Sequence, residues 1–200
     1  KVSSLFAVVL FASIFTAQAQ QPINLQVGDV DVKGMEMEVQ DTPNFQADGV
    51  KTKSIPSPLN WLEVETEFTV KSNAPVIPEL LFRYYIGFRD TNGNPRVLTG
   101  DVTHLNIVPG EDTFSAVYVA PSKLGEITGD FRSFREGSVE AIGVEVYFNG
   151  VIVGGKSSES GSRAKFWTAV GPEPGVLGKD ETPIALLWID RYAESAKKRN

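Results

Sequence analysis

Hydrophobic and polar residues alternate with a period of two along most of this chain, the pattern of strands that bury one face. The cleanest case is 61–71, where Leu62, Val64, Thr66, Phe68 and Val70 share one parity and Trp61, Glu63, Glu65, Glu67, Thr69 and Lys71 the other. Leu80, Phe82, Tyr84, Ile86 and Phe88 form a second inward row, with Arg83, Tyr85 and Arg89 opposite. Asn92-Gly93 marks a turn into a strand at 96–99. Thr103, Leu105 and Ile107 then alternate with His104 and Asn106, which assigns His104 to the solvent side. Residues 113–119 read as a further strand. Residues 121–127 read as a short helical turn with Pro121 at its first position and Gly125 at its C-terminal end.

Residues 23–32 read as the first strand. Ile23, Leu25 and Val27 lie on one parity, Val30 and Val32 on the other, and a bulge is placed at Gly28-Asp29. Met35, Met37 and Val39 continue the alternation between Glu36, Glu38 and Gln40. Residues 41–58 have little periodicity and read as a long loop. Asn149-Gly150 predicts a type I′ hairpin that pairs Phe148 with Val151 and Val146 with Val153, on the face of Ile142 and Val144. Residues 165–170 and 184–190 read as the last two strands.

Roughly nine strands punctuated every dozen residues or so predict an all-β, antiparallel β-sandwich with at most one or two short helices beyond the N-terminal segment. The 18 Gly and 12 Pro supply the breaks. No alternation of strands with long helices suggests a parallel sheet. Parity breaks at Gly28 and Gly34 mark strands that change sheets. Residues 20–192 form one domain, and 193–200 a basic tail ending in Lys197, Lys198, Arg199 and Asn200.

The first residues point to export. Lys1 precedes an apolar run at 5–15, and Ala17 and Ala19 stand at the −3 and −1 positions of a cleavage site. Residues 1–19 therefore read as a signal peptide; the other readings are a retained N-terminal hydrophobic helix and a first strand of the fold. No other run approaches bilayer length, so no membrane span is expected after leader cleavage. There is no cysteine, which leaves the exported domain to be held by its core alone. The net charge of −6 argues against a nucleic-acid partner.

Candidate chemistry is sparse. His104 is the only histidine and has no serine or carboxylate at a motif spacing. Glu63, Glu65 and Glu67, with Glu36 and Glu38 on a neighbouring strand, make an acidic ladder whose spacing suits a glycosidase pair, but a solvated face is the simpler account. Asp90, Asn92 and Asn94 have calcium-loop spacing, yet Pro95 stands where the loop glycine belongs. Of three tryptophans, Trp188 lies in an apolar run and reads as core, whereas Trp61 shares the glutamate parity. Gly154-Gly155 lacks the lysine of a phosphate loop. No catalytic residue, cofactor or metal site is assigned; Trp61, Glu63, Glu65 and Glu67 are the candidates for contact with a partner or glycan.

Gln20-Gln21-Pro22, Trp61-Leu62-Glu63-Val64-Glu65, Leu81-Phe82-Arg83-Tyr84-Tyr85 and Leu186-Leu187-Trp188-Ile189-Asp190-Arg191-Tyr192 resemble a small bacterial family of pilus-like proteins. Its members are encoded with type IV pilus components in gut mucin-degrading bacteria. The resemblance implies an immunoglobulin-like sandwich, location at the outer cell surface, and a role in pili, adhesion or host contact. It brings no catalytic residues. The expected partners are other pilus or surface proteins, including copies of this chain paired through edge strands at 23–32 or 184–190. The alternative is a mucin-glycan-binding module, or contact with a host protein.

Overall fold

The computed structural model describes residues 22–197. The leader expected at 1–19 and the last residues of the tail lie outside them. The long strands are Val30–Asp41 (β1), Asn60–Val70 (β2), Ile77–Arg89 (β3), Pro95–Ile107 (β4), Thr113–Val119 (β5), Val139–Phe148 (β6) and Val151–Ser157 (β7). Two short ones follow, Glu173–Pro174 (β8) and Val176–Gly178 (β9). Among the described residues a single α-helix, Pro121–Thr128 (α1), joins β5 to β6. The fold is all-β, with strand order β8-β4-β3-β6-β7-β1-β2-β5-β9.

This sheet folds over on itself into a sandwich-like body. At the fold, β7 and β1 meet through one parallel pair, Val30 and Gly154. Across the interior, Phe68 of β2 packs on Phe82 of β3 with ring centroids 4.7 Å apart. The alternating rows meet there: Leu62, Val64, Phe68 and Val70 face Leu80, Phe82, Tyr84, Ile86 and Phe88, all buried. Apolar area removed from water at about 25 cal/mol per Å2 is the driving term. Leu124 and Ile127 of α1 join this core. Pro121 opens α1 and Gly129, at φ 77°, closes it. The expected terminator, Gly125, is inside the helix, where the Phe131 ring occupies the space a side chain would need.

The open side is closed by the chain's own C-terminal third. Residues 173–178 cross from β4, which β8 joins in parallel, to β5, which β9 joins antiparallel. Farther along, residues 192–196 cross back. Ala193 N donates to Phe114 O on β5, then Leu105 N donates to Glu194 O and Ala196 N to Thr103 O on β4. Residues 193–196 therefore lie on the sheets.

Several expectations are corrected. Residues 23–29 form no strand; they lead through a turn at Gly28, φ 94°, and the bulge falls after Val32, next to Gly34. Residues 165–170 and 184–190 hold 3-10 turns at Phe166–Thr168, Pro183–Leu186 and Ile189–Arg191. Phe166, Trp167, Ile184 and Leu187 pack on outer sheet faces without strand pairing, while Leu186, Trp188 and Ile189 stay exposed. Of the two segments proposed as assembly edges, 184–190 is not extended, and 23–32 reaches a strand only at Val30, where β1 pairs with β2 and, at that one residue, with β7. The Asn149-Gly150 hairpin has positive φ at both residues and pairs Phe148 with Val151, but a shift beyond Tyr147 sets Val146 opposite Gly154 instead of Val153. His104 faces inward and is 2 % exposed, because Val102 and His104 share the buried parity and Asn106, at φ 55°, breaks the alternation before Ile107.

Candidate functional site

The outer faces of the two sheets are partly covered by the 3-10 turns. On β3 and β6, Trp167 stacks on Tyr85, centroids 4.3 Å apart and rings nearly parallel at 2°. Beneath it Glu145 accepts from Tyr85, Tyr147 and Lys165, so that cluster is satisfied. On β2 and β5, Ile184 is buried against Ala116 and Tyr118, flanked by Trp61, Leu187 and Tyr192. Thr182 caps the first turn by accepting from Ile184 N at 3.2 Å.

This second cover stops short of β1 and leaves a groove of about 340 Å3, lined by Glu36, Glu38 and Gln40 of β1, Glu63 and Glu65 of β2, and Trp188, Arg191 and Tyr192. The ladder sets Glu36 directly opposite Glu65 and Glu38 opposite Glu63. Like charges in that relation are destabilising. Arg191 relieves one pair: its Nε and terminal nitrogen donate to the two oxygens of Glu65 at 2.9 and 2.5 Å. Its guanidinium also stacks over Phe114, 4.1 Å from the centroid. The Arg191 bonds hold the Glu65 carboxyl below its ordinary pKa, and the Tyr192 hydroxyl, 2.8 Å away, adds to this.

Glu63 behaves oppositely. Burial pushes its pKa up, more than the neighbouring phenols of Tyr118 and Tyr192 bring it down. Its Oε1 accepts from Tyr192 at 3.3 Å, while Oε2 has no hydrogen bond. The Tyr118 hydroxyl lies alongside as a hydrogen-bonding neighbour of the carboxyl, and that carboxyl in turn helps to raise the Tyr118 pKa. Trp188 stands at the rim, 48 % exposed and in the left-handed region at φ 49°. That conformation costs a non-glycine residue on the order of 1 kcal/mol.

The candidates read from sequence separate here. Glu63 and Glu65 line the groove. Trp61 is half-buried, its Nε1 donating to Thr42 Oγ1 at 3.0 Å at the start of the long loop. Glu67 lies outside the groove, 3.6 Å from Lys33, which also pairs with Asp112. Trp188, expected in the core, stands exposed at the rim, and it is joined there by Arg191 and Tyr192, which carry no motif. Their only signal was an apolar run ending in Arg-Tyr, read as a core strand. At the calcium-like spacing, Asp90 Oδ1 accepts from the amides of Asn92 and Asn94, both at 2.8 Å, so the carboxylate is used to close the turn. Among the described residues no group of His, Cys, Asp or Glu could hold a metal ion, and no helix is long and apolar enough to cross a membrane.

A split carboxylate pair, one pKa raised and one lowered, is how glycosidases assign acid and base. The geometry differs here. Glu63 and Glu65 rise from one strand and bond one phenol, so they form a single wall, whereas a glycosidase pair flanks the bond from two sides.

Fold and groove together define an all-β, sandwich-like domain with an acidic surface site. A protein-family model matches residues 21–199, and the chain belongs to that family. A crystal structure of a protein from Akkermansia muciniphila is similar, with 28 % identity and a TM-score of 0.76 over 88 % of this chain and 96 % of that one. No curated protein matches.

Proposed function

We propose that this is an exported, pilus-associated surface protein that works by binding other proteins and performs no reaction. The observation that carries this reading is the groove. It keeps opposed carboxylates and a half-exposed tryptophan in a left-handed backbone, features that cost stability and return no packing. The likeness of the sequence to pilus-like proteins supports the surface setting, and an immunoglobulin-like topology is the reading of the sandwich that goes with it. Where β8 and β9 close the sheets, contact through side chains is favoured over edge-strand addition.

Placing a photo-cross-linking residue at position 188 in producing cells tests this. Adducts with surface or pilus proteins, on material labelled at the cell exterior, are expected. Recovery of the uncross-linked chain alone, or only from the cell interior, overturns the reading. One observation favours glycan binding as a second reading: Trp188 is exposed beside Arg191 and the carboxylates of the groove, a suitable platform and set of acceptors for a sugar. Binding on a mucin-glycan array that is lost in Trp188→Ala is its test.

A further inference from the structure

We propose that residues 35–41 of β1 accept residues 50–55 of a second copy of this chain as an added strand. The contact is made by the main chain and does not rest on the role of the groove. β1 is paired along its length with β2, but on its other side only Val30 pairs, with Gly154 of β7. Past that point the two strands part. Lys156 reaches across, its Nζ donating to Val32 O at 3.2 Å and to Lys33 O at 2.5 Å. The direction of the groups that follow is fixed by the register. Thr42 N donates to Leu59 O, one step past the Asp41–Asn60 pair. Main-chain groups alternate in direction along an antiparallel strand, so Gln40, Glu38 and Glu36 also face β2. Met35, Met37, Val39 and Asp41 therefore turn their N–H and C=O to the open side, where no group among the described residues bonds them. The 3-10 turn at Glu136–Ser138 passes near β1 but forms no bridge with it. Such a row of donors and acceptors is a template for another strand.

The two faces of β1 specify the strand it accepts. Met35, Met37 and Val39 are half-buried against the core, and Glu36 and Glu38 are exposed on the other face. A second β1 would set glutamates opposite glutamates, which is destabilising. A strand with apolar or small residues on one face and cations on the other fits. The chain holds such a run outside its sheets. Gly49 and Pro56 bound residues 50–55, in which Val50, Thr52 and Ser54 alternate with Lys51, Lys53 and Ile55. All six are exposed, Val50 at 65 %, and none lies in a strand. Among the described residues Lys51 and Lys53 carry no ion pair, and the only main-chain group of the run that is bonded is Ile55 N, which donates to Asn44 Oδ1 at 3.0 Å. Lys51 and Lys53 stand two apart, as Glu36 and Glu38 do. Addition in either direction therefore sets cations beside carboxylates and brings Val50 and Thr52 to the side of Met35 and Met37.

Sedimentation velocity and amide hydrogen exchange read by NMR test this on the purified protein. The parent is expected to associate with rising concentration. As it does, exchange at Met35, Met37 and Val39 should slow by about tenfold, while Glu36, Glu38 and Gln40, already bonded to β2, stay as they were. The charge-reversed variants K51E/K53E and E36K/E38K, substituted at exposed positions, should each stay monomeric alone. Their equimolar mixture should associate, because each edge then meets a run of opposite charge. Met37→Pro removes an outward N–H and no bond to β2, and should also prevent association, with the fold checked by circular dichroism. A parent that stays monomeric, reversed variants that associate as the parent does, or a mixture that stays monomeric overturns the inference. So does association that leaves exchange at Met35, Met37 and Val39 unchanged, because the contact is then made elsewhere. If Met37→Pro does not fold, the charge-reversed variants and the exchange rates still decide.

Discussion

His104 Nε2 lies 2.6 Å from Ser115 Oγ between the two layers, although the residues belong to β4 and β5, which are not hydrogen-bonded neighbours. The Tyr84 hydroxyl donates to the same oxygen at 2.8 Å. Burial keeps the His104 imidazole neutral. Its Nδ1 has no hydrogen bond and lies towards the backbone of Ala193 and Glu194.

Burial lowers the His104 pKa to about 4 from the ordinary 6.5. The unfolded chain then takes up the proton first as pH falls. The contribution of His104 is constant above about pH 6.5 and declines towards pH 4, by on the order of 3 kcal/mol in all. Urea denaturation at pH 7, 5.5 and 4.5 should show that loss, and His104→Gln should flatten it while lowering stability at pH 7. An unchanged slope in the variant would show that another group is responsible.

The raised pKa of Glu63 has the opposite sign. A carboxyl held up in the folded state stabilises while protonated, and that contribution is lost as pH rises through the folded value. Glu63→Gln should therefore raise Tm at pH 7 by about a few degrees and leave it unchanged near pH 4. Thermal melts at the two pH values decide; a lower Tm at pH 7 would contradict the assignment.

Arg191 fastens the C-terminal turns to β2 and β5 through Glu65 and Phe114. Arg191→Ala should cost about 1 kcal/mol, since the pair is partly solvated. Arg191→Lys should recover little of it, because an ammonium cannot bond both carboxylate oxygens in the fork geometry. Trp188 emission should shift to the red and residues 183–192 should become protease-sensitive. Unchanged proteolysis would show that the apolar contacts of Ile184 suffice.

Two glycines close the body. A Cβ at Gly154 would lie 2.3 Å from Val30 O, and one at Gly100 would lie 2.1 Å from Val176 O. Gly100→Ala and Gly154→Ala should each cost about 1–3 kcal/mol through forced separation of the backbones. Gly34→Ala, with nothing within 4 Å, should fall within about 0.5 kcal/mol of the parent. Chemical denaturation of the three variants checks the order.

Strand periodicity made most of the fold legible. The parity of Leu62 to Val70 and of Leu80 to Phe88 fixes which side is buried, because a one-residue slip would expose every apolar group. The hairpin at Asn149-Gly150 was equally legible, since only residues that tolerate positive φ suit that turn. The Pro-Gly run at 171–178 hid β8 and β9, whose pairing depends on partners 57 or more residues away. The run at 184–189 misled for a related reason. It is apolar, but it covers the outer face of an existing sheet, and periodicity does not distinguish covering a sheet from joining one.

Of the candidate site, the acidic wall of Glu63 and Glu65 follows from the sequence alone, because side chains two apart on a strand must share a face. The groove does not. It exists because Arg191, more than 120 residues away, is brought onto Glu65 when the chain turns back over β5. Local pattern determines which face a residue takes. Long-range packing determines what stands opposite it, since that depends on the whole path of the chain and not on its neighbours in sequence.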